Sequence, residues 1–244
     1  MKPGYAFTDW GQTLIQEDGD TLLKCIGKDE IKHSIKGLDL PRIYKLVCTK
    51  RTLKKMMAQY RAEPECNASI LKEVANLYVD CLKGAPIERI WDSVRNYAAE
   101  AIDRLDPAFY EVCHASDDGL DVTILTRSFE GGIKGIVAKL GKGGNLRIDG
   151  STIAGNSTVE DVVIRNQDKA MSLENSMKIR KMDPKQSVYM GDRKDESCIE
   201  VAGIFVVPPM ETDQFRQYMS SKYGTKVRTP SNRKGEVYRA LTMD

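Results

Sequence analysis

The strongest constraint on how this chain can fold is an interruption. A short apolar, β-prone run, Tyr5 to Thr8, follows Pro3-Gly4 and ends on Asp9, so it reads as a first core strand with a carboxylate at its C-terminal tip. The chain then changes character. Between Leu14 and Asp118, stretches such as 51–60, 68–82 and 87–105 repeat apolar residues at three- and four-residue spacing, the period of a helix with one buried face. In the last of these, Ile90, Val94, Tyr97, Ala101 and Leu105 lie on one stripe. Pro64 and the Lys83-Gly84-Ala85-Pro86 turn separate the helices, and no segment here reads as a strand. The pattern predicts an all-helical insertion over residues 19–114, within a core made of 1–18 and 115–244.

After Asp117-Asp118-Gly119 the pattern returns to α/β. Strands are expected at 122–125, 187–190 and 204–207, with weaker ones at 146–148, 162–164 and 226–228. Helices are expected at 129–140, stopped by Gly141, at 168–182, broken before Pro184, and at 196–202, 212–222 and 232–241. Strands alternating with helices imply a parallel sheet whose ligand crevice lies outside the carboxyl ends of its strands. Three of those ends carry Asp9, Thr126 and Asp192.

Composition narrows the class. Hydrophobic residues make up 41% and charged residues 30%, as expected of a globular protein. Lys+Arg at 37 against Asp+Glu at 35 leaves a net charge of +2, too small a field to favour nucleic acid or an anionic membrane as partner. No apolar run reaches the roughly 18–20 residues of a membrane span. The six cysteines form no C-x-x-C pair, which argues against zinc, and with no leader-like N-terminus they read as reduced thiols of a cytoplasmic protein. Gly131-Gly132 and Gly141-Lys142-Gly143-Gly144 match no phosphate-loop motif and read as turns or close-packing sites. Arg51, Lys54, Lys55 and Arg61 read as a solvated basic face.

The strand-end residues carry a family resemblance. Phe7-Thr8-Asp9-Trp10-Gly11-Gln12-Thr13 resembles the first motif of haloacid dehalogenase-like phosphatases, an apolar strand followed by D-x-D-x-T. Ile124-Leu125-Thr126 resembles the second, Lys169 at the start of a helix the third, and Val188-Tyr189-Met190-Gly191-Asp192 with the following acids the fourth. Singly each has a plainer reading: Thr126 as a helix N-cap, Lys169 as one surface lysine among many with Lys185 as its rival, and the acids as first-turn residues. Order and spacing match jointly.

The resemblance implies a Rossmann-like α/β core with a helical C1-type cap, acting on a small phosphorylated compound with Mg²⁺. It implies Asp9 as nucleophile and Lys169 as its catalytic partner. Trp10, Gly11, Thr126, Arg127 and Lys169 would bind phosphate. Asp9, the Gly11 carbonyl and Asp192 would hold the metal, supported by Asp195 or Glu196. Asp9 would attack phosphorus to give an aspartyl-phosphate, dividing one hard displacement into two easier ones.

One departure matters. The family's general acid/base is a second aspartate two residues after the nucleophile, and here that residue is Gly11. Losing such a group removes about 10²- to 10⁴-fold in rate. Three explanations stay open. The leaving group needs little acid help, as in the phosphonoacetaldehyde hydrolase branch, which has D-W-A-x-T and a cap lysine. Or the protein is a slow phosphatase or phosphotransferase in which Gln12 positions water. Or it is a phospholigand-binding or regulatory module.

Overall fold

The structure is a computed structural model that describes residues 4–16, 21–62, 73, 76, 77, 80–166 and 168–243. In chain order the elements are β1 (Tyr5–Thr8), α1 (Thr21–Lys36), α2 (Leu40–Ala62), α3 (Ile87–Ala101) and α4 (Pro107–Asp117). They continue with β2 (Asp121–Phe129), α5 (Glu130–Leu140), β3 (Arg147–Ala154), β4 (Asp161–Val163), α6 (Lys169–Arg180) and β5 (Ser187–Met190). The last are β6 (Ile204–Val206), α7 (Asp213–Tyr223), β7 (Val227–Arg228) and α8 (Glu236–Thr242). Of the helix expected over 68–82, most lies outside the described residues, as does Cys66; Cys25, Cys48, Cys81, Cys113 and Cys198 are free thiols. No helix among the described residues is long and apolar enough to cross a membrane.

The strands form one sheet in the order β4-β3-β2-β1-β5-β6-β7. All neighbours pair in parallel except β3 and β4, so the expected parallel sheet carries one antiparallel edge strand. Its two faces bury different side chains, because successive residues of a strand point to opposite sides. Ala6, Val122, Ile124, Val188, Met190 and Val206 enter one apolar cluster, while Phe7, Leu125, Tyr189 and Phe205 enter another with Leu173 and Met177 of α6. Burial on both faces is what makes these strands read as continuous apolar runs. The first strand of the chain lies in the middle of the sheet, and its neighbours β2 and β5 arrive from opposite directions in the order. That reversal opens the crevice at the carboxyl ends of β1 and its neighbours.

Three expected elements are corrected. The strand at 122–125 extends to Phe129, so Thr126 lies within β2 rather than at its end; the local pairing there is broken, as described below. The weak strand at 146–148 runs on to Ala154. The helix placed at 196–202 is instead a 3₁₀ segment, Arg193–Glu200, capped by the Asp192 side chain on the Lys194 amide at 2.9 Å.

The insertion does not separate from the core where its sequence pattern ends. Ile90, Val94, Tyr97 and Ala98 of α3 share one apolar cluster with Ile133 and Ile136 of α5 and with Val122 and Ile124 of β2; Leu22 and Ile26 of α1 join it. Gly131 and Gly132 make this close approach possible. A Cβ on Gly132 would lie 2.6 Å from the Leu22 side chain, and one on Gly131 would overlap the Trp91 ring. Gly141 ends α5 in the left-handed conformation, at φ 59°, as its place after the apolar stripe predicts. In α2, Arg51, Lys54 and Lys55 are exposed, as a solvated face requires; the Arg61 side chain lies outside the described residues.

Candidate active site

The crevice is assembled from main-chain hydrogen bonds before any side chain is considered. The Asp9 amide donates to the Met190 carbonyl at 2.9 Å, so the residue after β1 is tied to the last residue of β5. The Gly191 amide donates to Val206 at 3.2 Å, and the Asp195 amide to the Asp192 carbonyl at 3.0 Å. These bonds bring the fourth-motif turn beside the first. Carboxylate oxygens of Asp9, Asp192 and Asp195 lie within 4.8 Å of one another, and Asp192 and Asp195 are buried. Gly191 is required by this geometry: a Cβ there would sit 2.5 Å from the Asp195 carboxylate.

Lys169 opens α6, whose N-cap Asp168 accepts from the Met171 amide at 2.9 Å. Its ammonium pairs with Asp9 and stands 3.7 Å from Asp195. Burial works against that positive charge, but Asp195 and Asp9 together outweigh it and hold the Lys169 pKa above its ordinary value. Lys169 therefore stays a cation at neutral pH. Burial and the neighbouring carboxylates push Asp192 and Asp195 well above the ordinary carboxylate range; for Asp195 the Lys169 charge and a hydrogen bond from Tyr189 oppose this. That hydrogen bond runs from the Tyr189 hydroxyl to Asp195 Oδ2 at 2.8 Å. Burial, then Asp195, raises the Tyr189 pKa well above normal, so the phenol remains a donor.

The charge count decides what the cluster can hold. At this range each carboxylate pair repels by on the order of 3 kcal/mol at an effective dielectric of about 20. Three carboxylates against one ammonium leave a double negative charge, which one divalent cation neutralises. An all-oxygen donor set at a protein edge suits a hard ion such as Mg²⁺.

The other expected residues divide. Trp10 is fully buried and meets Phe109 edge-on, with ring centroids 5.8 Å apart, so its side chain serves the core and only its main chain is available to a ligand. Gly11 is buried in the same turn, its backbone outside the left-handed region, and Gln12 beside it is left-handed at φ 58°. Thr126 is buried, its hydroxyl oxygen accepting from the Ser128 amide at 3.0 Å, which leaves its hydroxyl proton for another acceptor. The Arg127 charge acts on both Lys169 and Asp195. Glu196 is not brought to the cluster. Its carboxylate accepts from Tyr223 at 2.7 Å, Lys222 at 2.9 Å and Tyr218 at 3.2 Å, so it anchors α7. Of the two acids left open by the sequence, only Asp195 has its carboxylate in the cluster.

The family model for haloacid dehalogenase-like hydrolases matches residues 6–195. The chain belongs to that family. Among solved structures, the haloacid dehalogenase-like fold recurs in a phospho-aspartyl intermediate analogue of phosphoserine phosphatase, at 17% identity and TM-score 0.52, covering 96% of this chain and 95% of that one. It recurs in a cytosolic 5'-nucleotidase IIIB bound to cytidine, at 10% identity and TM-score 0.63, covering 98% and 83%. A family hydrolase from Salmonella enterica serovar Typhi aligns at 14% identity and TM-score 0.60, covering 99% and 71%. At these identities the likeness is one of fold. The search of curated proteins gave no match.

Proposed function

We propose that this haloacid dehalogenase-like protein is a Mg²⁺-dependent phosphohydrolase of small phosphorylated compounds, with Asp9 as nucleophile. The observation that carries the reading is the trio Asp9, Asp192 and Asp195 within 4.8 Å at the carboxyl edge of the sheet, with Lys169 on Asp9. Asp9, Asp192, Asp195 and the Gly11 carbonyl would hold the ion, which when bound offsets the charge of an approaching phosphate. The Asp9 carboxylate attacks phosphorus, the phosphorus–oxygen ester bond breaks, and water then cleaves the aspartyl-phosphate. The Lys169 ammonium holds Asp9 in line and neutralises phosphate oxygens. The Thr126 hydroxyl, the Arg127 guanidinium and the amides at Trp10 and Gly11 complete the phosphate cradle. The helical insertion, residues 19–114, is proposed as the cap that selects substrate.

Gly11 favours one second reading, a weakened family member that binds a phosphorylated ligand and turns it over slowly or not at all. A panel of small phosphomonoesters with Mg²⁺, extended by phosphonoacetaldehyde, tests both on wild type, Asp9→Asn and Gly11→Asp. The enzyme reading expects turnover that falls at least about 10³-fold in Asp9→Asn. It expects a gain in Gly11→Asp of up to about 10²- to 10⁴-fold. Wild-type inertness with a gain in Gly11→Asp selects the binding reading. Release of phosphate from phosphonoacetaldehyde alone selects carbon–phosphorus cleavage. Inertness of both proteins, without Mg²⁺ binding, sinks the functional reading.

A further inference from the structure

The pairing of β2 with β3 is irregular at the point where β2 passes Thr126. Leu125 is opposite Asp149 and Phe129 is opposite Ser151, so four steps along β2 match two along β3, and Thr126, Arg127 and Ser128 bulge out of the ladder. A bulge takes main-chain carbonyls away from their strand partners, and buried carbonyls need donors. Two side chains supply them. The Asn166 amide donates from Nδ2 to the Thr126 carbonyl at 3.1 Å and to the Asp149 carbonyl at 2.6 Å. The Ser151 hydroxyl donates to the Arg127 carbonyl at 2.5 Å and accepts from the Arg165 amide at 3.2 Å. Gly150 completes the fit, since a Cβ there would lie 2.7 Å from the Ser128 carbonyl oxygen.

Asn166 is buried and left-handed, at φ 56°, a conformation that asparagine tolerates better than most residues. It stands three residues before Lys169. The same two side chains therefore join three pieces of backbone: the Thr126–Ser128 bulge, β3, and the loop that delivers Lys169. We infer that Asn166 and Ser151 are positioning residues, a polar clamp that fixes the Thr126 hydroxyl, the Arg127 side chain and the Lys169 ammonium around one phosphoryl group. The inference rests on the reading of those three as phosphate ligands; none of the proposed metal carboxylates belongs to the clamp.

The test uses the full chain with two substitutions. Asn166→Gly removes the amide and keeps the left-handed backbone accessible, and Ser151→Ala removes the hydroxyl. Inorganic phosphate binding in the presence of Mg²⁺, and Mg²⁺ binding alone, are measured by calorimetry. Backbone hydrogen exchange is followed in peptides covering 124–130 and 164–172. Phosphate affinity is expected to fall by at least about tenfold in Asn166→Gly, the loss of two hydrogen bonds. Mg²⁺ affinity should stay within about twofold of wild type, a split that general loosening of the fold would not produce, and both peptides should exchange faster. Ser151→Ala should show the same pattern more weakly. Wild-type exchange and wild-type phosphate affinity in Asn166→Gly would overturn the clamp. If wild type binds neither Mg²⁺ nor phosphate, the reading of the site fails and the phosphate role of the clamp with it; the exchange arm still decides whether the two side chains hold the three segments.

Discussion

At the scale of single residues, the acidic positions of this site show how far a motif constrains geometry. Asp195 and Glu196 are adjacent in sequence and chemically alike, yet one enters the cluster and the other turns to Lys222 and two tyrosines. Neighbours on a helical segment point in different directions, so only a three-dimensional packing argument separates them. Tyr189 escaped notice for a related reason: in the sequence it is one apolar residue of a buried strand, and its hydroxyl finds Asp195 only once the following turn is built. Tyr189→Phe should lower the Mg²⁺ affinity of the protein about tenfold, because a hydrogen bond to a charged group is lost and Asp195 is left free to turn. Glu196→Gln, measured beside it by calorimetry, should leave the Mg²⁺ titration unchanged; equal losses in both would return Glu196 to the metal site. Asn166 carried a fainter signal still, a polar residue in a short loop ahead of Lys169, with no partner within reach along the sequence.

At the scale of elements, legibility followed burial. Strands β1 and β5, covered on both faces, coincide with their apolar runs, whereas β2 outlasts its run because Thr126 and Ser128 are buried polar residues inside it. The 3₁₀ segment was read as a helix because acids at its start suit either form. The contact of α3 with α5 was legible only in part: two adjacent glycines suggested close packing, and the structure shows Leu22, Tyr97 and Trp91 filling the space. Gly132→Val should therefore destabilise the protein by roughly 1–3 kcal/mol through overpacking, read from denaturant unfolding, with the circular dichroism of the folded state preserved. An unchanged midpoint would mean that the packing of Leu22 of α1 and Tyr97 of α3 against Gly132 yields easily.

At the scale of the molecule, the site and the fold oppose each other in the metal-free state. Burial raises the pKa of both Asp192 and Asp195 above that of the unfolded chain; repulsion from Asp195 and Asp9 adds to it at Asp192, while at Asp195 the Lys169 charge opposes it and Asp9 adds to it. A group whose folded pKa is raised binds its proton longer in the folded form, so the unfolding free energy should fall as pH rises from the ordinary carboxylate range toward neutrality. The proposed Mg²⁺ would require the ionised carboxylates and would restore the loss by mass action. The rise in melting temperature on adding Mg²⁺ should thus be larger at pH 8 than at pH 5.5, and an equal rise at both would place the ion elsewhere. The family fold was readable because four short motifs follow one another in the right order, three of them at ends of elements. The packing of the helical insertion against the sheet and α5 was not, since periodicity marks a buried face without saying what buries it.

The position of β1 has a consequence for how the chain is made. Among the described strands it precedes all the others in the chain and is the central one of the sheet, but its nearer neighbour begins only at Asp121 and the other at Ser187. Ala6 and Phe7 therefore gain their sheet partners only after the helices between them and β2 have been made. Asp9, the proposed nucleophile, is held by the Met190 carbonyl and so takes its final place only after the chain has been made through β5.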